Sequence, residues 1–380
     1  MQPAGNIPSY GPEFFSRESR NKMKAHHQKK FATLRAWNRK RNYFFKALRM
    51  TLARWTWDHR VKKEFALKKD AKILLLRDDG KIGDMIVSTS LIREMYNNGY
   101  TVDILATANN IIAIKHNPYI HKIHLYDRHG NAPSLANESY DLVIDMGDKI
   151  SPASLRFLLK INTRNVIGFN KEKYNVYNKS ITFSGFQQHI TNRYALLMSE
   201  LGFTHIDTSY DLFYPEEIDV EVADFLQGLP EAKNIVINPF AADSKRELSL
   251  HQLQQLCQEI IKRLPGYNII ILDPNNKITT ELPPGVYKNP YSSLFSAMSL
   301  VKHADLVITP DTSIVHIAAA YRKPLIALYG NDMHGKFQNN LTWGPGYPEA
   351  VQILTRDKYH PISTIEVEEI IDVAQRIIRK

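Results

Sequence analysis

The chain has 380 residues, room for two separately cored domains, and a formal net charge of +10. A single cysteine, Cys257, excludes a disulfide framework and a cysteine-based metal site. No apolar run approaches the roughly 18 residues of a membrane-spanning helix, and the polar opening MQPAGNIPSYGPEFF is unlike a signal peptide, so a cytoplasmic location is expected.

The charge is unevenly spread. Residues 1–70 hold 18 Lys+Arg against 5 Asp+Glu, while the other 310 hold 31 against 34. The basic excess is thus an arm, 1–70, on a nearly neutral body. Residues 1–11 carry turn formers without periodicity, which predicts disorder. From 17 to about 69 there is no Gly or Pro, which predicts helix. Phe31, Leu34, Phe45, Leu48, Leu52 and Trp55 recur at three- and four-residue steps, interrupted by Arg41. Arg35, Arg39, Lys40, Lys46, Arg49 and Arg54 fill much of the rest. One reading is an in-plane helix on an anionic bilayer, each basic residue contributing about 1 kcal/mol. The other is an added helix packed on the body. Nucleic acid ranks below both, because no nucleic-acid motif accompanies the arm.

Residues 71–212 read as a first Rossmann-like domain. The run KILLLR at 72–77 is a buried parallel strand, and Asp78-Asp79-Gly80-Lys81-Ile82-Gly83-Asp84 leads into a helix. Gly80 and Gly83, with Lys81 between them, form a loop that permits close backbone approach. The pattern is not G-x-G-x-x-G, so no nicotinamide or flavin cofactor is indicated. Asp84 is either a helix cap, worth about 1 kcal/mol, or a functional carboxylate. Strands follow at 101–105, 122–126, 140–145 and 165–169, with helices at 109–116, 152–160 and 191–201, an alternation that predicts a doubly wound sheet. His121, His124 and His129 are read as surface histidines, since His121 and His124 fall on opposite strand faces. Asp78-Asp79 reads as loop charge, so no metal pair is expected. A polar, acidic linker is placed at 213–232.

The second Rossmann-like domain is placed at 233–355. A strand at 234–238, a loop at 239–249 and a helix at 250–264 open it, followed by a strand at 267–273 and a helix at 292–303. Residues 304–330 read strand, loop, helix, strand. Asp311-Thr312-Ser313 starts the helix, whose free N–H groups would open into the crevice at the strand ends and form an anion site. The stretch 331–348, centred on Trp343-Gly344-Pro345, reads as a site loop. A final helix, 365–378, lies within 356–380.

The order D-T-S-x-x-H-x-A-A-A-x-x-x-P-x-x-x-L-Y-G over 311–330 resembles the signature of the bacterial lipopolysaccharide-core heptosyltransferases (glycosyltransferase family 9). R-x-x-x-x-I-G-D at 77–84, followed by Ser88-Thr89, resembles the first motif of the same family. The family comprises inverting enzymes, and the resemblance implies an α/β chain of two Rossmann-like doubly wound domains (GT-B) facing a central cleft. It implies Asp84 as general base, Asp311 on donor sugar hydroxyls, and donor phosphate on the backbone at Thr312 and Ser313. In the loop where the family carries a basic residue, often as K-R-W-P, this chain keeps Lys245-Arg246 without Trp-Pro. Lys245 is expected on the donor phosphates, with Arg246 second. Asp273 is the nearest acidic residue for a donor-side contact. His316 reads first as a satisfied packed histidine and second as a donor-side residue. Other departures are Ser90, where the family often has Pro, and Ala241-Ala242 in the nucleotide-side loop. The implied donor is ADP-heptose, with no metal required. The implied acceptor is a lipid-anchored core saccharide at the cytoplasmic face of the inner membrane, with residues 17–69 as a peripheral tether. A different nucleotide sugar or glycan acceptor, or a non-catalytic tethered binding protein, are the alternatives. The terminal helix is expected to cross back to the first domain.

Overall fold

The computed structural model describes residues 17–127, 131–185, 187–334 and 337–379, with residues 17–36 and 334 described by secondary structure alone. The side chains of Phe31, Leu34 and Arg35, all of His129, and the segment 1–11 lie outside the described residues. Backbone proximity divides the chain into two units. One is the segment up to His59 with Ser151–Arg156, and the other is Arg60–Ile150 with Phe157–Lys380. The first is dominated by one helix, α1 (Arg17–Trp57). Phe45, Leu48, Leu52 and Trp55 of its predicted stripe are exposed, as are Trp37, Tyr43 and Phe44.

The helix does not continue to residue 69 as its composition suggests. Beyond Trp57 the side chains and backbone are claimed by distant partners: Arg60 donates to the Thr163 carbonyl, Lys62 Nζ to the Glu172 carbonyl at 2.9 Å, and Asn165 Nδ2 to the Ala66 carbonyl at 2.9 Å. Tertiary contacts override helix propensity here.

The larger unit holds two six-stranded parallel sheets. The first contains β1 (Lys72–Leu76), β2 (Thr101–Ala106), β3 (Lys122–Leu125), β4 (Ser139–Asp145), β5 (Asn162–Phe169) and β6 (Lys179–Ile181), in spatial order β3-β2-β1-β4-β5-β6. The second contains β7 (Lys233–Ile237), β8 (Tyr267–Ile271), β9 (Val286–Lys288), β10 (Leu306–Pro310), β11 (Leu325–Tyr329) and β14 (Ala350–Leu354), in order β14-β11-β10-β7-β8-β9. Strands β12 (Met333–His334) and β13 (Phe337–Gln338) form a separate small hairpin. Both large sheets are wound outward from their first strand in each direction, the Rossmann order. Their central strands are buried on both faces, as in Ile73–Leu76 and 269–271, which accounts for their continuous apolar runs.

Helices α2 (Ile82–Asn97), α3 (Pro152–Lys160) and α4 (Thr191–Glu200) accompany the first sheet. Helices α6 (Leu250–Arg263), α7 (Leu294–Lys302) and α8 (Ser313–Ala320) accompany the second. Three expectations are corrected. The acidic stretch read as a linker contains helix α5 (Glu216–Gln227), fastened to α7 through Asp219, which accepts from Ser299 Oγ at 2.6 Å and pairs with Lys302 at 2.7 Å. Its acidic first turn suits a helix N-terminus. The helix expected at 109–116 is one 3-10 turn, Ile111–Ala113, because the buried Asn110 side chain accepts from Thr107 N and donates to the Arg77 carbonyl, both at 2.8 Å. The terminal helix α10 (Val367–Ile378) does not cross to the first sheet: Ile370, Ile371, Val373 and Ala374 join the second core beside α6 and β11. Arg263 of α6 binds Glu368 and Asp372 there.

His124 is not a surface residue. It is fully buried, with Nδ1 2.8 Å from Ser134 Oγ and Nε2 3.0 Å from the Tyr140 hydroxyl. His121 Nδ1 lies 2.8 Å from Asp103 Oδ1, and Tyr140 donates to the other oxygen of that same buried carboxylate at 2.9 Å. Strand alternation separates the two rings, yet β2 supplies one acid that serves both sides.

Candidate active site

In a doubly wound sheet the crevice opens at the carboxyl ends of the two strands where the winding reverses. In the first sheet these are β1 and β4, and in the second β7 and β10. The loop carrying Asp84 follows β1, the loop carrying Arg246 follows β7, and Asp311 follows β10. Each expected site segment except the Asp273 loop therefore stands at a switch point.

Asp84 is not the helix cap. The cap position of α2 is Lys81, with no side-chain cap bond, and Asp84 lies within the first turn. Its carboxylate pairs with Arg77 at 3.3 Å and Lys81 at 3.8 Å, and its side chain is 15% exposed. Burial raises its pKa above the ordinary aspartate value, with Arg77 and Lys81 acting in the opposite direction. Arg77, the residue after β1, is itself buried and also lies 2.7 Å from Asp79. Gly80 turns the loop with a φ of +71°, a conformation that glycine adopts without strain. The outcome is a partly desolvated carboxylate ion-paired with a fixed, buried guanidinium.

On the opposite side Thr312 caps α8, its hydroxyl accepting from Ile314 N at 3.3 Å, and is held by Asn238 Nδ2 and Thr309 Oγ1, each at 3.1 Å. Ser313 opens the first turn. Asp311 Oδ2 accepts from Arg246 Nη1 at 3.1 Å and from Asn339 Nδ2 at 2.5 Å. Arg246 also reaches the Asp311 carbonyl at 3.2 Å. Of the two expected cations it is Arg246, not Lys245, that lies beside Asp311. The 3-10 turn Ser244–Arg246, closed by Asp243 accepting from Lys245 N, leaves Lys245 exposed and draws Arg246 to the crevice.

Asp273 is corrected as a donor-side residue. Its side chain is fully buried, accepts from Lys277 N and Ile278 N at 2.8 and 2.9 Å, and pairs with Lys288 at 3.0 Å. These contacts organise the turn after β8 around a carboxylate closed off from solvent. His316 is packed, as its first reading has it, but not satisfied: Nδ1 has no hydrogen-bond partner among the described residues. Burial, with His189 adding to it, lowers its pKa to about 3, so the ring is neutral and brings no charge to a donor. Its ring meets Tyr210 and Trp343 edge-on at 6.0 and 6.3 Å between centroids.

The two sides meet directly. A Cβ at Gly83 would lie 2.8 Å from His316 Cδ2 and 3.7 Å from Ser313 Cα, so the Asp84 turn abuts the start of α8. Lys81 Nζ lies 5.9 Å from the Trp343 ring centroid. Sequence reasoning singled out no role for Arg77, although it stands in the first motif, or for Asn339, which opens the one-turn helix α9 (Asn339–Thr342) inside the long loop. An asparagine in a loop rich in asparagine and glycine carries no signal of its own.

The family model described as "Glycosyltransferase family 9 (heptosyltransferase)" matches residues 129–363, a span that includes Arg246, Asp311, Thr312, Ser313 and Asn339 but not Asp84. Lipopolysaccharide heptosyltransferase 3 of Escherichia coli (strain K12) is 23% identical over 336 residues, covering 78% of this chain and 95% of that protein. Among solved structures, a glycosyl transferase family 9 protein from Veillonella parvula superposes with a TM-score of 0.67 at 18% identity, over 83% of this chain and 99% of that one. The E. coli ADP-heptose lps heptosyltransferase II does so with a TM-score of 0.61 at 18% identity, over 81% and 98%. The structural likenesses establish the GT-B-like fold. The family match spans more than half of the sequence, and by it the chain belongs to glycosyltransferase family 9, the heptosyltransferase family.

Proposed function

We propose that this glycosyltransferase moves a heptose from ADP-heptose to a lipopolysaccharide inner-core saccharide, with inversion at the anomeric carbon. Asp84 takes the proton of an acceptor hydroxyl while that oxygen attacks the anomeric carbon and the bond to the diphosphate breaks. Charge growing on the departing ADP meets the first-turn N–H groups of α8 and the Arg246 guanidinium, which together supply the electrostatic stabilisation without assigning it to a metal. Asp311, its Oδ2 already held by Arg246 and Asn339, presents its other oxygen to a sugar hydroxyl. Lys245 is left as an outer contact. The names of the relatives, one of them an ADP-heptose heptosyltransferase, support the choice of donor.

The observation that carries this reading is the contact of the Gly83–Asp84 turn with the start of α8, which brings the segment holding a raised-pKa carboxylate beside a helix N-terminus. Asp84→Asn tests it: ADP release with a core acceptor should cease while ADP-heptose still binds. Undiminished turnover would remove Asp84 from the mechanism.

The arm supports attachment to an anionic membrane surface from the cytoplasmic side. No helix among the described residues is long and apolar enough to cross a membrane. On α1 the exposed Trp37, Phe44, Phe45 and Trp55 alternate with exposed Arg39, Lys40, Arg41, Lys46, Arg49 and Arg54, a composition suited to lying in the headgroup plane. Removing residues 1–57 should sharply weaken pelleting with anionic vesicles, and unchanged pelleting would reject the tether.

A further inference from the structure

A second polar site lies at the opposite edge of the first sheet. A cavity of about 910 Å³ opens beside the amino ends of β1, β4 and β5, walled by Lys72, Ser139, Tyr140, Asp141 and 162–164, and by the extended segment that includes Arg60, Lys63, Lys68 and Asp70. The five residues of β1 separate it from the Arg77–Asp84 loop by roughly 15 Å at about 3.3 Å per strand residue, so it is no part of the transfer crevice.

Its charges are unequally satisfied. Lys72 is taken by Glu138 at 2.6 Å and Asp103 at 3.2 Å, and Lys68 pairs with Asp141 at 3.1 Å. Asp141 also accepts from Lys72 N at 2.9 Å. Arg60 is anchored to the Thr163 carbonyl, an uncharged acceptor. Lys63 and Arg164 are exposed and have no ion-pair partner among the described residues. Three cations thus converge on one cavity with one uncommitted acid, Asp70. Ser139 and Asn162 add short polar side chains on the same wall. An apolar ligand finds little purchase here, whereas a phosphate meets a guanidinium fork and an ammonium, and sugar or glycerol hydroxyls meet the amide and the carboxylate.

We propose that this cavity binds a phosphate group carried on a polyhydroxylated molecule, at a site separate from the transfer crevice, with Arg60, Lys63 and Arg164 on the phosphate. The chemistry is shared by soluble sugar phosphates and by anionic lipid headgroups.

Two probes on the full-length protein separate these sources: glucose 6-phosphate followed by calorimetry, and phosphatidylcholine vesicles with or without phosphatidylglycerol followed by flotation. The test variant is Lys63→Ala/Arg164→Ala, and the control is Lys262→Ala/Lys358→Ala, which removes equal charge from exposed positions elsewhere. All four side chains are exposed, so the melting temperatures should stay together. A tenfold or greater loss of affinity for glucose 6-phosphate in the test variant alone supports the site with a soluble ligand. A comparable loss confined to phosphatidylglycerol vesicles supports it with a headgroup. Equal losses in test and control variants, or no loss for either probe, overturn the proposal.

Discussion

Gly83 of α2 and His316 of α8 stand so close that a methyl group on the glycine would press to 2.8 Å against the imidazole Cδ2 and 3.3 Å against Nε2. The ring is buried and bounded by Tyr210 and Trp343, so it has little room to retreat. Gly83→Ala should therefore push the two helix starts apart. Overpacking of this kind costs about 1–3 kcal/mol, and the same displacement should lower turnover at least tenfold. Thermal melting and ADP release read the two effects, and an alanine variant unchanged in both contradicts the close approach.

As the proposed base, Asp84 with its raised pKa would give the reaction a pH signature. A base must be ionised to act, so turnover should fall as pH drops through a value above the ordinary aspartate pKa. Arg77→Met removes a positive neighbour that now lowers that pKa, so the acidic limb should move to higher pH. A profile that stays fixed in Arg77→Met would argue that another group sets it.

Arg246 and Lys245 should behave differently. Arg246 bonds Asp311 twice, whereas Lys245 is exposed. Arg246→Ala leaves the Asp311 carboxylate short of a partner and removes the charge proposed to meet the departing diphosphate. A loss of roughly 10²–10³ in kcat/KM is expected, comparable to deleting one stabilising donor. Lys245→Ala should change it less than about threefold, within the range of ordinary surface substitutions. Equal effects of the two would reverse the assignment made from the turn geometry.

His316 makes stability sensitive to acid. Its folded pKa of about 3 lies below the ordinary 6.5, so the unfolded chain binds a proton that the folded chain refuses. The contribution is fully present above pH 6.5 and is lost as pH falls toward 3, a total on the order of a few kcal/mol. Denaturant unfolding across that range should show a smaller acid loss in His316→Gln than in the parent chain. Parallel curves would mean that the ring is protonated in the folded state.

Much of the fold was legible because burial on both faces leaves a plain imprint. Runs such as Ile73-Leu74-Leu75-Leu76 and Ile269-Ile270-Ile271 can be little else than central parallel strands. Helix starts were legible where a short hydroxyl side chain closes the first turn, as at Thr312 and Ser249. The three-residue edge strands β6 and β9 were not, since they are too short to show a period. The segment after Trp57 departs from its composition because hydrogen bonds to residues about 100 positions away compete with helix formation.

By itself the sequence determined the two-sheet architecture, the basic arm, and the two short motifs that bracket the crevice, because these follow from local propensity, periodicity and spacing. The tertiary structure alone decided which charged groups share that crevice. It turned Arg246 rather than Lys245 toward Asp311, brought Asn339 beside it, enclosed Asp273 with Lys288, and left His316 neutral against Gly83. The physical reason is that a side chain's charge state and partner depend on solvent exclusion and on atoms a few ångströms away in space, and residues far apart along the chain supply both.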